Sequence, residues 1–111
     1  MVIDYPASAD LVFRALADPT RRALFERLET MGEQTVSRLT AGSGVSQPAV
    51  SKHLGLLREA GLVVGRRAGR DVHYSARREG LAPFVDWMVH YGAFWRDRFD
   101  ALDDLLKRMD Q

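Results

Sequence analysis

Five polar side chains crowd the stretch "SQPAVSKH" at 46–53: Ser46, Gln47, Ser51, Lys52 and His53. Their chemistry suits a polyanion with readable edges. A glutamine amide pairs bidentately with adenine, serine hydroxyls serve bases or phosphates, and lysine and histidine donate to phosphate oxygens. Downstream, Arg66, Arg67 and Arg70 stand in "GRRAGRD" (65–71), a second set of donors suited to phosphate contact or minor-groove insertion. Two plainer readings compete. The first set fits a capped surface helix with incidental polar residues, and the second fits solvated charge that blunts an edge hairpin.

The charge distribution favours the polyanion. Residues 46–78 hold seven basic side chains against two acidic, a balance of +5 inside a chain whose net charge is +1. Residues 1–45 balance at −1 and residues 79–111 at −3, so the positive field sits in one third of the chain. Catalysis has no comparable support, and no enzyme is expected: no nucleophile–base set or phosphate loop is visible, and His53, His73 and His90 fall on separate elements. There are no cysteines, which excludes disulfides and thiolate metal sites and fits an intracellular protein. No run approaches the ~18 apolar residues of a membrane span. The first residues, "MVIDYPASAD", lack the basic and apolar regions of a secretory signal.

The elements that would position these donors can be read in order within a single domain, 1–111. "DLVFRALA" (10–17) is a short amphipathic helix with Val12, Phe13 and Leu16 on one face. Asp18 is a candidate N-cap and Pro19 a first helical residue for a second helix to Met31, with Ala23, Leu24 and Leu28 inward and Gly32 as its stop. Thr35 caps a third, short helix containing Val36 and Leu39, which "AGSG" (41–44) breaks. The fourth helix, 46–60, starts at Ser46, tolerates Pro48 in its first turn, buries Val50, Leu54 and Leu57, and stops at Gly61. Residues 62–76 change period: Leu62, Val63 and Val64, then Val72, Tyr74 and Ala76, make a β-hairpin with an arginine-rich tip turning at Gly69. From 81 to 109 the spacing is helical throughout, a single element of roughly 40 Å.

Helix, glycine-containing turn, helix and basic hairpin make a winged helix-turn-helix, mainly α with about five helices and a two-stranded wing. In this motif the second helix offers its N-terminal residues to base edges in the major groove. The last helix carries six of the ten aromatics. Its stripe of Phe84, Trp87, Met88, Tyr91, Phe94, Trp95, Phe99 and Leu102 is wider than so small a domain can cover, which points to a homodimer interface rather than a purely internal core. A dimer would also set two reading helices about one DNA turn apart, ~34 Å.

"ALADPTRRALFERL" (15–28), "VSQPAVSKHLGLLREAGLVVGRRAGRDVHYSA" (45–76) and the long aromatic helix together resemble the ArsR family of bacterial transcriptional repressors. The resemblance spans nearly the whole chain. It implies a cytoplasmic, nucleoid-associated winged-helix dimer joined through its terminal helices, which binds double-stranded DNA at an imperfect inverted repeat and often represses its own operon. The family's recognition positions fall on Ser46, Gln47, Ser51, Lys52 and His53. One departure is specific: arsenic- and cadmium-sensing members carry Cys-x-Cys in the third helix, and "EQTVSRLTAG" (33–42) has none. Zinc-type members use Asp and His on the last helix; here only Asp86 and His90 at i, i+4, with Asp97 farther on, are available. A histidine on an aromatic helix is more often a packing or hydrogen-bonding residue. The chain looks like the cysteine-free, metal-independent branch, with no cofactor and with an inducer the sequence does not name. The alternatives are a metal- or small-molecule-responsive repressor and a winged-helix protein-interaction module.

Overall fold

The computed structural model describes residues 7–110. Six helices and three short strands follow in the order α1 (Ala7–Ala17), α2 (Pro19–Met31), β1 (Gln34–Thr35), α3 (Val36–Thr40), α4 (Gln47–Glu59), β2 (Val63–Ala68), β3 (Asp71–Ala76), a 3-10 turn (Arg78–Leu81), α5 (Ala82–Val89) and α6 (Gly92–Met109). The three expected caps form. Asp18 Oδ1 accepts from Arg21 N–H at 3.1 Å, Thr35 Oγ1 from Arg38 N–H at 3.2 Å, and Ser46 Oγ from Ala49 N–H at 3.3 Å. Each satisfies one of the amide donors that a helix start leaves without an intrahelical partner.

The core lies where α1, α2, α3, α4 and the sheet meet. Val12, Leu39, Val50, Leu54, Leu57 and Leu62 have no exposed surface, and Leu24, Phe25, Leu28 and Val63 close around them. Ala23, expected inward, is exposed, and Phe25 takes the inner place on α2. The larger ring removes more apolar area from water, and a helix can turn only one of two such neighbouring positions fully inward. α4 ends in a Schellman arrangement: Gly61 N–H donates to Arg58 O and Leu62 N–H to Leu57 O, both at 2.9 Å, with Gly61 at φ 77°.

The sheet holds a strand that the sequence reading did not contain. β1 pairs antiparallel with β3 through Gln34↔Tyr74 and Thr35↔His73, giving the order β1-β3-β2. Two residues carry too little alternation to announce a strand. Its signal is Gln34, a buried polar residue, and among the described residues no buried side-chain polar atom lacks a partner.

Behind the wing, the 3-10 turn packs Gly80 against the corner joining α4 to β2. A Cβ on Gly80 would overlap the Gly61 carbonyl oxygen and stand 2.7 Å from Gly61 C, both backbone atoms that cannot swing aside. Gly80→Ala is therefore expected to destabilise the fold by about 1–3 kcal/mol, the usual cost of overpacking. Urea unfolding should show the loss, while Gly55→Ala, whose Cβ meets nothing within 4 Å, should show none.

The long terminal helix expected over 81–109 is two helices. Tyr91 N–H donates to Met88 O at 3.0 Å and His90 N–H to Trp87 O at 3.3 Å, the tightened bonding that ends a helix, and Gly92 opens the next. Packing explains the break. Phe13 of α1 meets Phe84 and Trp87 edge-on, with ring centroids 5.5 and 5.4 Å apart, so α5 is drawn onto α1. α6 packs substantially only against α5. The radius of gyration is 17.9 Å, against about 13 Å for a compact chain of this length.

Candidate nucleic-acid interface

α4 is held by one face and offered by the other. Val50, Leu54 and Leu57 anchor it in the core, while Ser46, Gln47, Pro48, Ser51 and Lys52 are exposed along its start. Pro48 lies within the first turn, where a missing N–H costs nothing. The backbone N–H groups and positive dipole end of this turn also favour an anion. Ser46 Oγ accepts the capping bond from Ala49, which leaves its hydroxyl hydrogen free to donate outward.

His53 differs from its neighbours. It is half-buried, with Nδ1 3.4 Å from Arg21 Nη1, so one ring nitrogen faces the protein rather than solvent. Asp18, beside this pair, has its carboxyl held below the usual aspartate value, first by the bond from Arg21 N–H and then by that from Thr20, with smaller help from the charge of Arg21 and from His53. The sequence reading singled out His53 but not Arg21.

The wing departs from expectation in one respect. Pairing runs from Val63↔Ala76 to Ala68↔Asp71, so only Gly69 and Arg70 remain as the turn. Gly69, at φ 64°, takes the loop position where a tight hairpin needs a positive φ. Arg66 and Arg67, expected near an arginine-rich tip, are strand residues, and strand alternation sends them to opposite faces. Arg66 lies across from His73, and both meet Glu33 from the α2–β1 loop. Arg66 Nη2 donates to Glu33 Oε1 at 2.6 Å, Ser75 Oγ donates to Oε2 at 3.2 Å, and His73 Nδ1 lies 3.5 Å from Oε1.

Arg66 is thus an ion-paired clamp at the wing, whereas Arg67 and Arg70 are exposed and make no ion pair among the described residues. The Arg66 hydrogen bond is the first cause holding the Glu33 carboxyl below its usual value, and the same contact raises Arg66. With Glu33 depressed, this clamp is fully formed above the usual glutamate range and is lost as pH falls through the lowered value. Because the groups are exposed, the clamp orients the wing more than it stabilises the fold.

The predicted dimer residues separate into two groups. Phe84 and Trp87 are half-buried against Phe13 and belong partly to the α1–α5 contact. Met88, Tyr91, Phe94, Trp95, Phe99 and Leu102 are exposed, Phe99 by 63% and Leu102 by 50%. Leu105, Leu106 and Met109 extend the same apolar surface to the end of α6. At the α5–α6 turn, Phe84, Trp87, Met88, Tyr91, Phe94 and Trp95 line an apolar concavity of about 560 Å³. Asp86 is exposed on α5 and His90 at the turn, and among the described residues no three His, Cys, Asp or Glu side chains group as a metal site would require. No described helix is long and apolar enough to cross a membrane.

A helix-turn-helix domain family matches residues 16–66, from the end of α1 into β2. The transcriptional repressor SdpR of Bacillus subtilis (strain 168) is 31% identical over 80 residues, 72% of this chain and 88% of that protein. The arsenical resistance operon repressor of Escherichia coli (strain K12) is 44% identical over 63 residues, which are 57% of this chain and 54% of that repressor. Among solved structures, that of an ArsR family transcriptional regulator superimposes with a TM-score of 0.74 at 30% identity, covering 86% of this chain and 97% of that one. A helix exposed along its start and seated on a buried stripe, a three-stranded winged sheet and these relatives agree: the chain belongs to the ArsR family of winged helix-turn-helix proteins and is a DNA-binding transcriptional repressor.

Proposed function

We propose that the chain acts as a homodimer on an inverted-repeat operator upstream of its own gene, in the bacterial cytoplasm where the chromosome lies. The observation that carries this reading is the polar, exposed first turn of α4 on a helix whose opposite stripe is fully buried. Gln47 reads adenine, Ser46 and Ser51 contact bases or phosphates, and Lys52 pairs with phosphate. Arg67 and Arg70 bind the backbone or enter the minor groove, while Arg66 holds the wing through Glu33. The exposed aromatic and leucine face of α5 and α6 joins two protomers, which sets the spacing of the two half-sites.

A mobility-shift titration on the upstream intergenic duplex tests the reading. A salt-sensitive shift at micromolar dimer or below supports it, and no shift at that concentration overturns it. Two substitutions divide the labour. Gln47→Ala should cost about 1–3 kcal/mol on the preferred operator and relax discrimination at one base pair. Arg70→Ala should weaken all sequences alike and reduce the slope of log affinity against log salt by about 1. Identical behaviour of the two variants across operator mutants would refute this assignment.

A further inference from the structure

Arg21 has its donors committed in three directions. Nε donates to Ala15 O at 2.7 Å, Nη2 donates to Arg14 O at 2.9 Å, and Nη1 faces His53 Nδ1 at 3.4 Å. The first two partners are carbonyls in the last turn of α1, which have no intrahelical donor and carry the negative end of the helix dipole. The guanidinium is thereby fixed in place, while its backbone N–H is fixed separately by Asp18. A planar head held on two carbonyls presents its remaining donor in a set direction.

That direction determines what His53 can do. A guanidinium only donates, so the ring nitrogen facing it must offer a lone pair, and the neutral ring then carries its hydrogen on Nε2. Nε2 lies on the far side of the ring from Arg21 and has no partner among the described residues. His53 follows Lys52 and Ser51 on the helix offered to DNA, and it is half-exposed.

We infer that Arg21 is a positioning residue for DNA recognition: by capping α1 and facing His53 Nδ1, it holds the ring as the Nε2–H tautomer, a donor for a backbone phosphate oxygen. Without Arg21 the ring could equally carry its hydrogen on Nδ1 and present a lone pair to the phosphate, which repels it. The inference rests on the operator reading above and adds to it a residue from outside the reading helix.

Imidazole nitrogen–carbon-proton correlations on the ¹⁵N-labelled full chain test it, with the His53 signals identified from their absence in His53→Gln. In the wild type the neutral ring is expected to show a protonated Nε2 and an unprotonated Nδ1. In Arg21→Lys, which keeps a cation near the α1 carbonyls but not the fork, the two tautomers should mix; a thermal melt establishes that this variant is folded. Binding to the upstream duplex gives the second readout. His53→Gln, whose amide nitrogen stands near the Nε2 position, should stay within about threefold of wild type, whereas His53→Asn should weaken binding about 10- to 100-fold. A wild-type ring protonated on Nδ1, or equal affinities for the Gln and Asn variants, overturns the inference while leaving the operator reading in place. Failure of the wild type to shift the duplex overturns the operator reading, whatever the tautomer.

Discussion

Leu102→Glu should convert the protein into a folded monomer that has lost nearly all operator affinity. Leu102 is 50% exposed on α6, a helix that packs substantially only on α5, so a carboxylate there is solvated in the free chain and leaves the core untouched. In a dimer closed by the apolar face of α6, the same carboxylate would be buried beside Phe99, Leu105 and Leu106, and Arg98, one turn earlier and stacked on Phe94, would offset only part of the desolvation cost. Monomer and half-site can still meet, but the second half-site no longer binds intramolecularly, and that contribution is worth about 10²–10⁴ in affinity. Light scattering should report half the wild-type mass, circular dichroism an unchanged helix content, and mobility shift a loss in that range. A variant that remained dimeric and bound normally would refute the α6 interface and move the dimer contact elsewhere.

The second large effect lies in the core. Leu54→Ala should lower the unfolding free energy by about 2–5 kcal/mol, a large share of the 5–15 kcal/mol typical of a domain. Leu54 is fully buried on a helix that touches α1, α2, α3 and β2, so the cavity it leaves is bounded on several sides and cannot collapse cheaply. The neighbouring Leu56 is a control on the same helix: it is 37% exposed, and its truncation should cost well under 1 kcal/mol. Denaturant titrations at fixed protomer concentration are required, because dimerisation adds to apparent stability. If the two variants unfolded at the same denaturant concentration, α4 would not be seated as described. Because the residues proposed to read DNA, Ser46, Gln47, Ser51 and Lys52, lie on the exposed side of α4, Leu54→Ala should also loosen DNA binding, whereas Leu56→Ala should not.

Much of the fold is legible in the sequence because it is written in local rules. Asp18, Thr35 and Ser46 cap helices through bonds to the third residue on, a short-range chemistry that needs no knowledge of the rest of the chain. Val50, Leu54 and Leu57 recur at helical spacing, and all three are buried. Gly61 and Gly69 mark a helix end and a tight turn, and both adopt positive φ. Long-range contacts are less visible. Glu33 meets a partner 33 residues away and Arg78 holds Glu29 at 2.7 Å from 49 residues away, pairings that no local pattern encodes. Gly80 reads as an ordinary loop residue until Gly61 is placed against it.

By itself the sequence determined the first four helices with their caps, the hairpin and the concentration of positive charge between 46 and 78, since propensity, capping and periodicity act over a few residues. The division of the arginines was settled only in three dimensions: strand pairing put Arg66 beside Glu33 and left Arg67 and Arg70 without an ion pair among the described residues. The same holds for the terminal helix. Its spacing runs on through residues 90 and 91 because two helices share one apolar stripe, and the break between them appears only in the fold, where Phe84 and Trp87 pack on Phe13 and Gly92 opens the next helix. Arg21 shows the difference most sharply. As a sequence symbol it is a charge in the first turn of α2, and only the folded chain gives it two carbonyls of α1 and a ring nitrogen of α4.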